Sequence, residues 1–381
     1  MHKFLLNSKI ITIFLFFFVI FYSCTQNSTV INDCLLFSEE RTEVKMSDLI
    51  SDYSFIELET LDKNLILDAS MIRIWKDRIF ILDCFAKNKT VWAYDIQGKY
   101  LGNLGTLGPG PGEYIMPMSL VIDEANDRVL IKDVAQNKLL FYDASTLSFI
   151  KELRIPFYSD CFDYLSPNKL IWYVGSGCAN EGDYQKHIQI TDMELSVLSN
   201  HIPRMDFPKR GMYNVMTYFH RFENNVYFHH PFNNDVYSYD LSADTVNIQY
   251  KVDWKGLNYP PFDYVRANRD NIIKRQEEDH LIQYFELLEN SDKSMCYFGK
   301  DNQSYLGVYD KNNQSGYYVQ TDKIKDDLGI LKFVRPKTVY QDKFVNVVYA
   351  EDLSLIPENS IIYPLVKNKA EGGNPILLLY K

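Results

Sequence analysis

A tyrosine-aspartate pair closes one apolar run after another along this 381-residue chain, and its spacing constrains the fold more than any other feature. The marker occurs as Tyr94-Asp95, Tyr142-Asp143, Tyr239-Asp240 and Tyr309-Asp310. Thr191-Asp192 stands where another copy is due, and the chain ends in a related LLLYK at Tyr380. Successive spacings are 48, 49, 48, 70 and 71 residues. Self-similarity at such a period marks an architecture in which each copy is one supersecondary unit. Six copies imply six units, the last two lengthened by insertions.

Each unit holds about four short runs rich in Val, Ile, Tyr and Phe, separated by Asn, Asp, Gly or Pro, as short antiparallel strands are. In the second unit these are SLVID, RVLIKD, KLLFYD and SFIKELRI. The pattern predicts an all-β chain, a six-bladed β-propeller of four-stranded antiparallel blades over residues 46–381. An open ring leaves unpaired strand edges, so closure needs a device. The last unit, KTVYQDKFVNVVYA with NPILLLYK, offers only three runs, while YSFIELET (Tyr53 to Thr60) is isolated before the first complete unit. The N-terminal run is therefore expected to supply the outer strand of the last blade.

The stretch IFILDCFAKNKTVWAYDIQGKYLGNLGTLGPGPGEY resembles an NHL-type propeller repeat. The body of the chain is similar to six-bladed β-propeller lipoproteins of the Bacteroidetes. The resemblance is carried by ILD at Ile81 to Asp83, YDIQGK at Tyr94 to Lys99, GPGEY at Gly110 to Tyr114, FIELET at Phe55 to Thr60 and the terminal NPILLLYK. The first blade matches well and the third to fifth much less. The resemblance implies architecture and an envelope address and brings no common activity with it.

The N-terminus agrees with that address. MHKFLLNSK has two lysines and no acid, and the 12-residue apolar run IITIFLFFFVIF ends at Tyr22-Ser23-Cys24. A run this short is a signal-peptide h-region, not a membrane span of about 20 residues. The site resembles a bacterial lipoprotein signal, with Phe21 and Tyr22 departing from its usual residues. It implies removal of residues 1–23, lipid on Cys24 and a polar tether over 24–45. By the same analogy Thr25, where an Asp would retain the protein, is compatible with an outer-membrane anchor facing the periplasm. The formal charge of −10 becomes −12 without residues 1–23. Such a chain repels polyanions, so nucleic acid is not among the expected partners.

Two insertions interrupt the repeat, at about 258–280 and 351–373. In the first, assigned to the fifth blade, Pro260-Pro261 end a strand, and Val265, Ile272 and Gln276 with flanking charges predict a helix over 263–279. It is either a lid or docking element, or a cover for a strand edge. The two insertions lie in adjacent blades, where they are placed to touch.

Candidate chemistry is sparse. His229 and His230 are adjacent on a strand and point to opposite faces, which disfavours a shared metal. After Cys24, Cys34, Cys84, Cys161, Cys178 and Cys296 show no zinc spacing. Cys161 with Cys178 is a candidate disulfide and buried thiols are the alternative. Asp83 and Asp133 end equivalent strands 50 residues apart. They are candidate channel-end carboxylates, able to serve acid/base chemistry or bind calcium, or alternatively to accept turn amides. No cofactor is called for, with calcium as the one candidate ion.

The loop of Gly110, Gly112, Glu113 and Tyr114 lacks the helix that a phosphate loop requires, since a strand follows. Pro109-Gly110 and Pro111-Gly112 suit two type II turns that carry the chain from one blade to the next. Glu113 either caps amides in that crossover or faces a ligand. The first functional expectation is a lipid-anchored envelope propeller that binds or scaffolds a protein, peptide or glycan. The alternatives are a propeller lactonase, lyase or glycan-processing enzyme with a channel-mouth carboxylate or Ca²⁺ site, and a subunit of a nutrient-uptake system.

Overall fold

The aspartate of each marker ends the third strand of a blade and turns the chain into the fourth. Asp95 accepts the amides of Gln97 and Lys99 at 3.0 and 2.8 Å, and Asp143 those of Ser145 and Thr146 at 3.0 and 2.7 Å. Asp192, Asp240 and Asp310 do the same in their own blades. The repeat is thus an Asx turn, a short carboxylate standing in for a backbone acceptor. Where the third blade has Thr191 for tyrosine, the threonine hydroxyl accepts the buried indole N–H of Trp172 at 2.9 Å.

The architecture is that of a computed structural model, which describes residues 34–85, 89–174, 186–203, 217–223, 225–268, 270–330, 335–349, 356–367 and 373–381. Blade 1 comprises Met71–Trp75, Arg78–Asp83, Thr90–Asp95 and Tyr100–Asn103. Blade 2 follows over Pro117–Asp123, Arg128–Asp133, Lys138–Asp143 and Phe149–Arg154. Blade 3 has Cys161–Ser166, Lys169–Tyr173, Lys186–Asp192 and Val197–Pro203, and blade 4 has Phe219–Phe222, Asn225–His229, Asp235–Asp240 and Thr245–Trp254. Blade 5 has Ile282–Glu289, Lys293–Lys300, Gln303–Asp310 and Ser315–Gln320. Blade 6 has Thr338–Tyr340, Lys343–Val348 and Ile376–Tyr380, and Ser54–Glu57 completes it by pairing antiparallel with Ile376–Tyr380, Glu57 opposite Ile376. The expected ring closure is therefore present.

The core lies between blades. Val129 and Ile131 of blade 2 pack with Phe80, Leu82 and Val91 of blade 1, while Leu130 from the same strand packs with Phe162, Leu170 and Trp172 of blade 3. A strand's side chains alternate between its two faces, and here a neighbouring blade covers each face. This is why RIFILD and RVLIKD read as nearly unbroken apolar runs.

Three sequence expectations change. The tether reaches at most to residue 33, because Cys34–Arg41 is a strand. It runs parallel to the outer strands of blades 4 and 5 and joins them into one nine-stranded sheet. Phe37 is its anchor, fully buried and stacked on Trp254 with ring centroids 4.9 Å apart. Gly307 makes room for it, since a Cβ there would stand 2.8 Å from the Phe37 ring.

The expected helix over 263–279 is two short helices, Phe262–Ala267 and Ile272–Glu278, in the crossover that precedes blade 5. Val265 and Ile272 still face inward, against Phe232. In the second insertion, Ile356, Ile362 and Val366 pack with Met46 and Leu49, so among the described residues the two insertions belong to separate apolar clusters.

Candidate binding face and axial channel

Strand direction defines two faces of the ring. Blade-to-blade crossovers and second-to-third-strand turns share one, the crossover face. First-to-second-strand turns share the other, the turn face.

Asp83 and Asp133 lie at the crossover face, both buried. Asp83 accepts the amide of Leu67 at 2.9 Å. Asp133 accepts the amides of Ile115, Met116 and Ala135 at 2.8, 3.0 and 2.9 Å and the Gln136 side-chain amide at 2.7 Å. Each carboxylate ties the incoming crossover to its own blade, and neither lines the axial cavities. They are positioned to hold backbone. Among the described residues no group of three or more His, Cys, Asp or Glu could hold a metal ion.

The glycine-rich crossover is cinched by side chains. The amide of Glu113 bonds the carbonyl of Gly110 at 3.0 Å across Pro111-Gly112, and Gly112 has φ +69°, which makes this the expected type II turn. Pro109-Gly110 does not form a second one, since Gly110 lacks the positive φ that position requires. The Gly110 amide instead donates to the Glu113 carboxylate at 2.8 Å. Tyr114 is fully buried and its hydroxyl accepts the Val91 amide at 3.1 Å. Tyr142 donates to the Gly112 carbonyl at 2.8 Å, and the Lys138–Glu152 ion pair, 2.9 Å, reaches the same loop. All four loop residues proposed from the sequence therefore act in the corner itself.

What these anchors present is apolar. Leu67 and Phe85 are 66% and 68% exposed, and Leu107, Ile115, Met116 and Tyr158 are also exposed. All six lie in crossovers or second-to-third-strand turns serving blades 1 to 3. Cys24 and Cys178 lie outside the described residues, and Cys161 is a buried free thiol. His229 and His230 diverge as alternation requires, His229 stacked on Phe285 of blade 5 and His230 bonded to Tyr173 of blade 3. Burial lowers both below the usual histidine range, His229 to about 3.

Inside the ring, a chamber of about 460 Å³ is lined by the ends of the innermost strands and by first-to-second-strand turns, so it opens toward the turn face. Ile74, Trp75, Ile122, Phe219, Leu288 and Val339 supply apolar wall. A second cavity of about 60 Å³ lies nearer the crossover face. Most of the channel's carboxylates are engaged. Arg221 pairs with Asp163 at 3.0 Å and Glu124 at 3.2 Å, and Arg335 pairs with Glu286. Glu289 takes His220 and Lys311, each at 2.9 Å. Sequence reading missed these groups. The one legible signal is the arginine that interrupts the apolar strand MIRIW.

These features define a closed six-bladed β-propeller with exposed apolar side chains on one face and a charged channel through its axis. The sequence profile of a family described as 6-bladed beta-propeller matches residues 23–347, and the chain belongs to that family. A Bacteroides fragilis protein described as a "putative exported protein" is 22% identical, with TM-score 0.81 over 91% of this chain and 99% of its own. A Bacteroides vulgatus protein of the duf4221 family is 8% identical, with TM-score 0.53 over 87% and 96%. No curated protein matches the chain.

Proposed function

We propose that the chain is exported, anchored by lipid on Cys24 at the periplasmic side of the outer membrane, and acts there as a binding or scaffold protein for an envelope protein or peptide. The observation that carries this reading is the exposed patch of Leu67, Phe85, Leu107, Ile115, Met116 and Tyr158 on one face. Exposed apolar side chains gathered on one face of a soluble domain mark interaction surfaces. Aliphatic side chains outnumber aromatic ones here, which favours a peptide segment over a sugar that would stack on rings. Asp83 and Asp133, the carboxylates an enzymatic reading would use, are occupied with backbone amides. The leader sequence and the description of the Bacteroides fragilis relative accord with export.

The test is a photo-crosslinking amino acid placed at Met116 in cells, with one at Ile248 on the outer strand of blade 4 as control. A defined protein adduct at Met116, lost with Leu67→Asp and Ile115→Asp, supports the reading. Equal labelling at both positions, or a carbohydrate adduct, overturns it. Labelling with a radioactive fatty acid that survives Cys24→Ser overturns the anchor.

A further inference from the structure

Six carboxylates and four cations line the axial channel, and two of those cations stand apart from its ion pairs. Four basic side chains line the two cavities: Arg73, Arg221, Arg335 and Lys337. Arg221 and Arg335 have carboxylate partners, and Glu289 is taken by His220 and Lys311. Arg73 and Lys337 have no carboxylate within ion-pairing distance among the described residues. Among the described residues the only hydrogen bond of the Arg73 guanidinium is to the carbonyl of its neighbour Ile72, at 3.0 Å. Burial outweighs the pull of Asp163 and lowers Arg73, and burial with the Arg335 charge lowers Lys337. Arg73 and Lys337 are half-buried in the channel wall, and a partly desolvated cation without a counter-charge favours a bound anion.

Position makes the pair a site. Arg73 and Lys337 come from the adjoining blades 1 and 6, and both line the large chamber and the small cavity, so they lie where the two meet. His220 lines both cavities as well, and its Nδ1 is buried without a hydrogen-bond partner among the described residues. The rest of the chamber offers apolar wall from Trp75, Ile122, Phe219, Leu288 and Val339. A volume of about 460 Å³ falls within the range of small-molecule pockets. We propose that the chamber binds a small organic anion with an apolar body, the negative group held by Arg73 and Lys337 and the body against the Trp75 and Ile122 end. The site opens on the turn face, opposite the apolar crossover patch, and does not depend on a partner bound there.

Calorimetry on the full chain with 2-naphthoate and with its uncharged amide, 2-naphthamide, tests the proposal. The two probes share one body, so their difference reads the charge. One naphthoate is expected per chain, bound at least about tenfold more tightly than the amide, since hydrogen bonds to a charged group are worth a decade or more. Arg73→Gln and Lys337→Gln should each weaken naphthoate about tenfold and bring the two probes together, with circular dichroism and melting temperature checking the fold. Should Arg73→Gln not fold, Lys337→Gln decides, because it precedes the innermost strand of blade 6. Equal affinity for both probes, no binding of either, or a charge preference that persists in a folded variant overturns the proposal.

Discussion

Glu289 shows how one buried residue links blades 4 and 5. It accepts hydrogen bonds from His220 Nε2, the Tyr250 hydroxyl and the Ser294 hydroxyl, and pairs with Lys311. Burial alone would raise its carboxyl, but His220, Lys311 and Tyr250 together hold it at about 2. A depressed carboxylate contributes stability above its unfolded value and loses it as pH falls through the folded one. An acid limb is therefore expected from about pH 4.5 down to about 2. Glu289→Gln should flatten that limb in a urea titration series and cost about 3 kcal/mol at pH 7, since it leaves the half-buried Lys311 ammonium without its counter-charge. Asn374 ties the ring seam. Its side chain accepts the Ile66 amide at 2.8 Å and donates to the carbonyls of Glu59 and Asn64 and to the Tyr94 hydroxyl. Asn374→Ala should lose about 2–3 kcal/mol by thermal melting, because the Ile66 amide and the carbonyls of Glu59 and Asn64 lose their partner. In the sequence Asn374 is merely a polar residue before PILLLYK, since its partners lie some 280 to 315 positions away.

At the level of elements, the strand Cys34–Arg41 was read as tether although CLLF is apolar. Its signal is short, and its partners are outer strands more than 200 residues distant. Phe37→Ala should cost about 3 kcal/mol or more in denaturant titration, because the ring fills a site between Trp254 and Gly307. The glycine corner was more legible, since a Pro-Gly pair states its own backbone preference. Gly112→Ala should destabilise by about 1–2 kcal/mol, as its φ of +69° disfavours a Cβ that would also lie 2.8 Å from the Phe149 ring. A Gly112→Ala chain that melts with wild type would remove the turn from the list of stabilising elements. Its neighbour Pro109-Gly110 cannot close a hydrogen-bonded turn, because the next residue is Pro111, which has no N–H to donate, and the Gly110 amide donates to the Glu113 carboxylate instead.

The whole molecule stands or falls with ring closure. Removing residues 1–60 takes away the strands Cys34–Arg41 and Ser54–Glu57 and leaves Ile376–Tyr380 as an open edge. Unpaired edges recruit other chains, so the truncated protein should broaden its melting transition and form larger species in gel filtration. A sharp transition at the full-length temperature, without association, would contradict the closure. Blade number, strand order and the closing strand could be read directly because they rest on local physics: period-2 apolar runs, Asx turns that need only their own next residues, and one missing run matched by one isolated run. The exposed patch, the unpaired Arg73 and Lys337, the Glu289 network and the inserted strand could not. They arise when residues far apart in the chain converge on one face or one axis, and whether a side chain ends up paired, buried or exposed there is decided by neighbours that only the closed ring brings together.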